Sequence, residues 1–283
     1  DARYMAAMSR AIDRADRAAH YDSLFEQVRD HFRRIYCNAE GDLNPEVRTQ
    51  TGYLLALRND LLLPERRPAA VAALKQKIID NGYKLSTGFV GSCILNEVLA
   101  EFGENDLAYS LLLQTENPSW LYSVHQGATT IWERWNSYTK ETGFGDVGMN
   151  SFNHYAYGAV QEWMYRHIAG IETTEQAPGF AHPILQPKPD TRSAEEIPAG
   201  QEKITWVRTS FASPVGLIES AWDMTDGFSY TCRVPVAPLP LIGNAETLVI
   251  NGVAHKPDEF RLCPVGKGVT IELAPGAYTI EQK

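Results

Sequence analysis

The chain has 283 residues, 44% of them apolar, and a formal net charge of −9. That is enough for a well-buried core and for more than one domain. The acidic balance argues against a nucleic-acid partner, and the longest apolar runs, such as the three leucines at 61–63, fall far short of the roughly 20 residues a membrane helix needs.

The first residues run directly into a helical pattern. They carry no initiator methionine and no signal-peptide sequence, so the chain is expected to be a piece of a longer protein. Residues 1–20 and 21–37 place apolar side chains at mixed three and four spacing, which predicts two amphipathic helices. TGYLLALRNDLLL, 51–63, predicts a more apolar helix stopped by Pro64. PERRPAAVAALKQKIIDNG, 64–82, opens on proline and closes on Asn81-Gly82, a C-cap signal. VGSCILNEVLAEFG closes on Gly103, and ENDLAYSLLLQTENPSW stops before Pro118. SFNHYAYGAVQEWMYRHIAGI, 151–171, predicts a long helix capped by Ser151 and closing at Gly170. Helices of this length joined by irregular aromatic loops suit helical hairpins that close a toroid. A six-hairpin toroid needs about twelve helices, and six or seven are legible here.

Near residue 175 the character changes. A proline-rich stretch follows, and then short alternating segments: ITWVRTSFAS, GLIESAWDMT, FSYTCRVPV, TLVINGV, VTIEL and YTIEQ. These predict a small antiparallel β-sandwich. The expected organisation is therefore α then β: part of an (α/α)6 toroid over 1–175, a linker over 176–200 and a β-sandwich over 201–283.

The four cysteines, Cys37, Cys93, Cys232 and Cys263, have no CxxC spacing, so no zinc cage and no cofactor is expected. A disulfide between Cys232 and Cys263 would need two strands to bring them together. His20, His31, His167 and His255 sit in charged or solvent-facing patterns without metal spacing.

Chemistry concentrates in GATTIWERWNSY, 127–138, where Glu133 lies between Trp132 and Trp135. Trp120, Tyr122, Tyr138 and Phe144 are close in sequence. Sugars present flat C–H faces to aromatic rings and hydroxyls to polar groups. A carboxylate among tryptophans therefore suits general acid or base work on a glycosidic bond. The structural alternative is a Glu133–Arg ion pair with the tryptophans in the core. His154 is expected in or near the first turn of the 151–171 helix, where the helix field keeps an imidazole neutral. Such a ring can serve a sugar hydroxyl, or be a buried histidine satisfied by backbone. STGFVGSCIL, 86–95, reads as a simple turn or a rim loop. Gln50 and Thr51 either cap a helix or face a cleft.

GATTIWERWNSY, MNSFNHYAYGAVQEWMYRHIAGI, PSWLYSVHQGATTIWERW and STGFVGSCILNEVLAEFGENDLAYSLLLQ together closely resemble the bacterial α-L-rhamnosidases of glycoside hydrolase family 78, over about residues 48–185. The tail from about 200 is similar in placement to that family's C-terminal β-sandwich. SPVGLIESAW resembles a motif there, while VPVAPLPLIGNAETLVING departs from the usual pattern. The resemblance implies an (α/α)6 toroid that releases terminal α-L-rhamnose with inversion. It also implies that Glu133 is the general base and that His154 contacts rhamnose, with Trp132, Trp135 or Trp120 packing on the sugar. The family's general acid lies in a motif of the type RDERxGWxGD, which this chain lacks. The second carboxyl group is therefore expected from a missing N-terminal part of the same protein, with a rhamnosylated carbohydrate as substrate. Two readings stay open beside it: a non-catalytic carbohydrate-binding (α/α)6 protein, and an (α/α)6 enzyme acting on another sugar.

Overall fold

The computed structural model describes residues 1–235, 239–242, 248–255, 261–262, 269–270 and 276–282. Helices come first and sheets follow, as the sequence pattern predicts. The chain divides into two compact units. One joins Asp1–Gly103 to Glu116–Ala156, and the other joins Glu104–Thr115 to Tyr157–Lys283.

In the first unit, α1 (Ala2–Ala11) and α2 (Ala15–Tyr36) are separated by a break at Asp13, whose φ of 56° leaves the helical region. The break falls earlier than the predicted junction at residue 20. The apolar spacing continues through Ala15–His20, so those residues join α2. Helix α3 (Gln50–Arg58) is capped by Thr49, whose hydroxyl accepts from the Gly52 N–H at 2.9 Å. It ends at Asp60, φ 54°, rather than at Pro64. Helix α4 (Arg67–Asp80) stops at the predicted Asn81-Gly82 cap, with Gly82 at φ 67°. Two shorter helices follow, α5 (Phe89–Ser92) and α6 (Leu95–Glu101), the second closing on Gly103. Leu54, Ala56, Leu57, Leu74, Ile78, Leu95 and Leu99 form the core of this unit. Gln50 lies within it and resolves its own alternatives. Its side-chain amide donates to Lys84 O at 3.1 Å and its carbonyl accepts from the Ser86 N–H at 2.9 Å. It thereby anchors the segment that leads into α5.

The second unit begins with α7 (Asn105–Leu112), which packs on the later part of the chain. The Tyr109 hydroxyl donates to Lys188 O at 2.8 Å, and its ring meets Trp163 edge-on. In the first unit, α8 (Trp120–His125) is a helix that the sequence pattern does not reveal, capped by the Ser119 hydroxyl. A two-stranded ribbon then pairs β1 (Tyr138–Thr139) with β2 (Gly143–Phe144). Back in the second unit, α9 (Val160–Trp163) continues as a π turn over Met164–Ile168 and ends at Gly170, φ 73°. His167 in that turn is buried rather than solvent-facing, and its Nδ1 lies 3.0 Å from Lys188 Nζ.

The remaining strands are β3 (Ile171–Glu172), β4 (Ile184–Leu185), β5 (Trp206–Ser213), β6 (Gly216–Asp223), β7 (Ser229–Val234), β8 (Leu239–Ile242), β9 (Leu248–Ile250), β10 (Val253–His255), β11 (Arg261–Leu262), β12 (Val269–Thr270) and β13 (Gly276–Gln282). A six-stranded antiparallel sheet has the order β10-β9-β13-β7-β6-β5, and a five-stranded sheet the order β11-β12-β8-β4-β3. In the second sheet β4 and β8 run parallel. Asn251-Gly252, both at positive φ, make the two-residue turn between β9 and β10. Alternation puts Ile218, Trp222, Tyr230, Cys232, Val234 and Ile280 on the buried face of the larger sheet. From that face the Trp222 indole donates to Ile168 O at 2.8 Å and the Ser220 hydroxyl to Ala169 O at 2.6 Å. Cys37, Cys93 and Cys232 are free thiols, and Cys263 lies outside the described residues.

The proline-rich segment is held by a buried ion pair. Arg192 Nε and Nη2 donate to the two oxygens of Asp190 at 2.9 and 2.7 Å, with both side chains essentially inaccessible. Arg192 also donates to Gln201, Ser110 and Glu202 O, and Asp190 accepts from the Ile204 N–H. The bidentate fork and these extra bonds offset the desolvation of two charges. Arg192→Met, which leaves Asp190 buried and unpaired, is expected to cost about 3–5 kcal/mol, measured by urea denaturation. Removing both charges with Asp190→Leu and Arg192→Met is expected to cost less than the single change.

Burial pushes the Cys232 thiol up to about 12, from an ordinary value of 9.0. It pushes the Tyr230 phenol in the same direction. A raised folded-state pKa means that the folded state keeps protons the unfolded state has released. The stability contributed by Cys232 is therefore complete below about pH 9 and is lost as pH rises toward about 12. Melting temperatures are expected to fall across that window, and less steeply in Cys232→Ala.

Candidate active site

The expected residues Glu133, Trp132, Trp135, Trp120 and His154 all lie in the first unit, on α8 and two irregular segments, 127–137 and 150–155. Irregular backbone needs partners for its N–H and C=O groups, and here the two segments supply each other. The Glu133 N–H donates to Ser151 O at 2.9 Å, and the Ser151 N–H donates back to Glu133 Oε2 at 2.7 Å. The His154 N–H donates to Ile131 O at 2.8 Å, and the Thr130 hydroxyl to Phe152 O. Asn150 Nδ2 donates to Ser137 O at 3.1 Å, while Asn150 Oδ1 is enclosed without a partner.

This pairing moves the predicted helix. Residues 151–155 bond across to 130–133 instead of along a helix, so helical turns start only at Ala156. His154 is therefore not in a first helical turn, and the helix-field argument for its neutrality does not apply to it. Its Nδ1 is enclosed and has no hydrogen-bond partner. The Phe89 ring is stacked on its imidazole, centroids 4.5 Å apart and planes within 16°. The Tyr155 ring is also nearly parallel, at 6.0 Å, and is itself exposed.

Glu133 is half-buried, and none of the ion pairs among the described residues involves it. Its carboxylate is held by a main-chain N–H, and Oε1 has no hydrogen bond among the described residues. The Glu133–Arg alternative is thus not the arrangement found. The tryptophans fall into two groups. Trp132 meets Phe152 and Tyr138 edge-on at 5.3 and 6.4 Å, and Phe144 closes the cluster against Tyr138 and Phe152. The β1–β2 ribbon sets Tyr138 opposite Phe144. Trp120 meets Trp135 edge-on at 5.5 Å, and the Ser123 hydroxyl donates to Trp135 O at 2.8 Å. Trp120 and Trp132 are buried, whereas half-buried Trp135 keeps accessible surface.

Three participants escape sequence reasoning. Ser151 acts through its main-chain N–H, which every residue but proline has. Phe152 and Phe89 become neighbours of the site only through long-range pairing. The glycines beside Phe89 in STGFVGS were the one available signal, since Gly91 marks a close approach. A Cβ there would come within 2.6 Å of Thr51 Oγ1 and 2.8 Å of Thr87 Cβ.

Comparison with known proteins bears on both units. The family model described as bacterial alpha-L-rhamnosidase 6 hairpin glycosidase domain matches residues 1–168, and that of the bacterial alpha-L-rhamnosidase C-terminal domain matches 170–238. The chain is similar to an α-L-rhamnosidase of Formosa agariphila, 41% identical over 223 residues, which is 79% of this chain and 23% of that protein. It is similar to one of Streptomyces avermitilis at 40% identity over 219 residues, 77% of this chain and 20% of that protein. The crystal structure of a Streptomyces avermitilis α-L-rhamnosidase complexed with L-rhamnose matches with a TM-score of 0.82 at 33% identity, covering 98% of this chain and 25% of that chain. This chain thus spans about a quarter of the relatives' length.

The Ser151–Glu133 contact has a direct readout. A hydrogen bond to a charged group is worth about 1.5–3 kcal/mol when shielded and less at a half-exposed site. The Ser151 amide proton is expected to exchange roughly tenfold faster in Glu133→Ala than in the parent protein, and near the parent rate in Glu133→Gln. Equal exchange in all three would mean that the carboxylate does not hold this loop.

Proposed function

This chain belongs to the bacterial α-L-rhamnosidase family, and from that membership we propose that the protein it forms part of releases terminal α-L-rhamnose from glycosides or glycans with inversion, Glu133 acting as general base. The observation that carries the reading is the carboxylate itself. Glu133 Oε2 accepts the Ser151 N–H while Oε1 has no hydrogen bond among the described residues, and its chain neighbours Trp132 and Trp135 pack against other aromatic rings. A carboxylate held on one oxygen and open on the other can orient a water and take its proton.

In this mechanism Glu133 removes a proton from water as that water attacks the anomeric carbon. An acid outside this chain protonates the leaving oxygen, because the chain has no counterpart of the family's acidic motif. The two carboxyl groups of an inverting enzyme stand roughly 6.5–9.5 Å apart to leave room for the water. The charge that develops on the sugar ring is oxocarbenium-like, and an ionised Glu133 also stabilises it. His154 bonds a ring hydroxyl. Trp135 packs on the apolar face of the 6-deoxy sugar, and Trp132 and Trp120 fix the shape of the wall beside it. Residues 1–175 are the part of the toroid that carries the base, 176–200 the linker and 201–283 the β-sandwich.

The test is cleavage of p-nitrophenyl α-L-rhamnoside by this chain alone and by the chain joined to its upstream segment. Activity is expected only in the longer protein. There, Glu133→Gln is expected to lower kcat by about 10²–10⁴-fold with an unchanged melting temperature. Full activity in Glu133→Gln would remove it from the role of base. Rhamnose binding without turnover in the longer protein would instead favour a sugar-binding protein, and turnover of another glycoside alone would favour a different specificity.

A further inference from the structure

We infer that Phe89 is a positioning residue for His154, performing by ring stacking the orienting task that a hydrogen bond on the second ring nitrogen usually performs. The inference rests on the reading of His154 as a sugar contact. A histidine that serves a ligand through one nitrogen is normally held in plane by a hydrogen bond on the other, which sets its tautomer and its tilt. His154 has no such bond. Its Nδ1 is enclosed without a partner, and His154 forms no side-chain hydrogen bond among the described residues. Its main chain is fixed through the His154 N–H to Ile131 O bond at 2.8 Å. That leaves two side-chain torsions, and of the two rings parallel to the imidazole Phe89 is the one in stacking contact, at 4.5 Å and 16°, while exposed Tyr155 lies at 6.0 Å.

A stacking plate orients a neighbour only if it is itself held, and the backbone that carries the partly exposed Phe89 ring is held from several sides. It opens α5 directly after Gly88. The segment ahead is anchored by Gln50, through the Ser86 N–H and Lys84 O. Within the turn, the Thr87 and Ser92 hydroxyls lie 2.7 Å apart in a buried hydrogen bond. Gly91 lets α5 press against Thr51 more closely than any side chain would allow. Beyond the turn, the Cys93 thiol donates to Ala156 O at 3.2 Å, which ties α5 to the chain just past His154. Both plates of the stack are therefore built on fixed backbone. The arrangement shuts Nδ1 away and leaves Nε2 as the nitrogen available to a ligand.

The chemistry sets a specific requirement at position 89. The side chain needs a flat π face, not merely apolar volume, because a planar ring on a planar ring restrains tilt whereas a branched alkyl group does not. The experiment uses the full-length protein and steady-state cleavage of p-nitrophenyl α-L-rhamnoside. Phe89→Ala and Phe89→Leu are each expected to raise KM roughly five- to tenfold with kcat changed less than about twofold. Phe89→Tyr, which restores a planar face, is expected to bring KM back to the parent value. In a His154→Ala background, Phe89→Leu is expected to add nothing, since its effect passes through the imidazole. If His154→Ala itself leaves KM unchanged, the sugar-contact reading fails and this inference with it. If His154→Ala raises KM while Phe89→Leu matches the parent, or Leu rescues as well as Tyr, the sugar contact stands and the positioning role is overturned. Phe89→Leu keeps most of the side-chain volume, so it reports on the stack even where Phe89→Ala does not fold.

Discussion

The reciprocal bond between Glu133 and Ser151 is the constraint on which the candidate site depends. Two irregular segments, 127–137 and 150–155, meet there without a regular ladder. Each would otherwise leave polar backbone groups unsatisfied, and each would otherwise be free to move. Glu133 contributes both its main-chain N–H and its carboxylate to the same partner, so the backbone and the carboxylate are fixed together. That economy has a structural cost. It takes the Ser151 N–H and its neighbours out of the helix that their sequence favours and delays the helix to Ala156. A negative charge also gains from a main-chain N–H as a charge-assisted donor, which explains why a half-exposed carboxylate can be held without an arginine.

The aromatic rings serve this arrangement more by shape than by contact. Trp132, Tyr138, Phe144 and Phe152 pack edge to face, the geometry that the ring quadrupole favours. Two of the four, Tyr138 and Phe144, are delivered by the short β1–β2 ribbon, and Phe152 by the segment that also carries Ser151. The cluster and the hydrogen-bonded pairing therefore stabilise one another. Breaking the pairing would move Phe152, and loosening the cluster would shift the backbone beside Glu133. These packed rings are thus part of the scaffold on which the segment carrying Glu133 is built.

The second unit meets a similar difficulty by different means. Its proline-rich segment cannot form a helix and has few ladder bonds, yet Asp190 and Arg192 within it are fully enclosed. Here the backbone is pinned by a bidentate ion pair whose remaining donors reach Ser110, Gln201 and Glu202. Low exposure makes such a pair directional and unforgiving, because every donor that lost its partner would stay buried. The contrast follows from location. The pair at Asp190 is fully enclosed, whereas the carboxylate at Glu133 is half-buried and is held by one main-chain N–H.

The sequence by itself determined the order of helices then strands, because apolar spacing and alternation are local properties of the chain. It determined several element ends, at Asn81-Gly82, Gly103 and Gly170, because glycine at positive φ terminates a helix whatever surrounds it. It singled out Glu133 and His154, because a carboxylate among tryptophans and the family motifs around both are written in consecutive residues. The junction at Asp13, the cap at Ser119, the attachment of Asn105–Leu112 to the second unit, the late start at Ala156 and the placement of Phe89 over His154 were decided only by tertiary structure. The physical reason is shared by the last three. Each rests on contacts between segments distant in sequence, and such contacts outweigh local preferences that differ by about a kilocalorie per mole or less per residue.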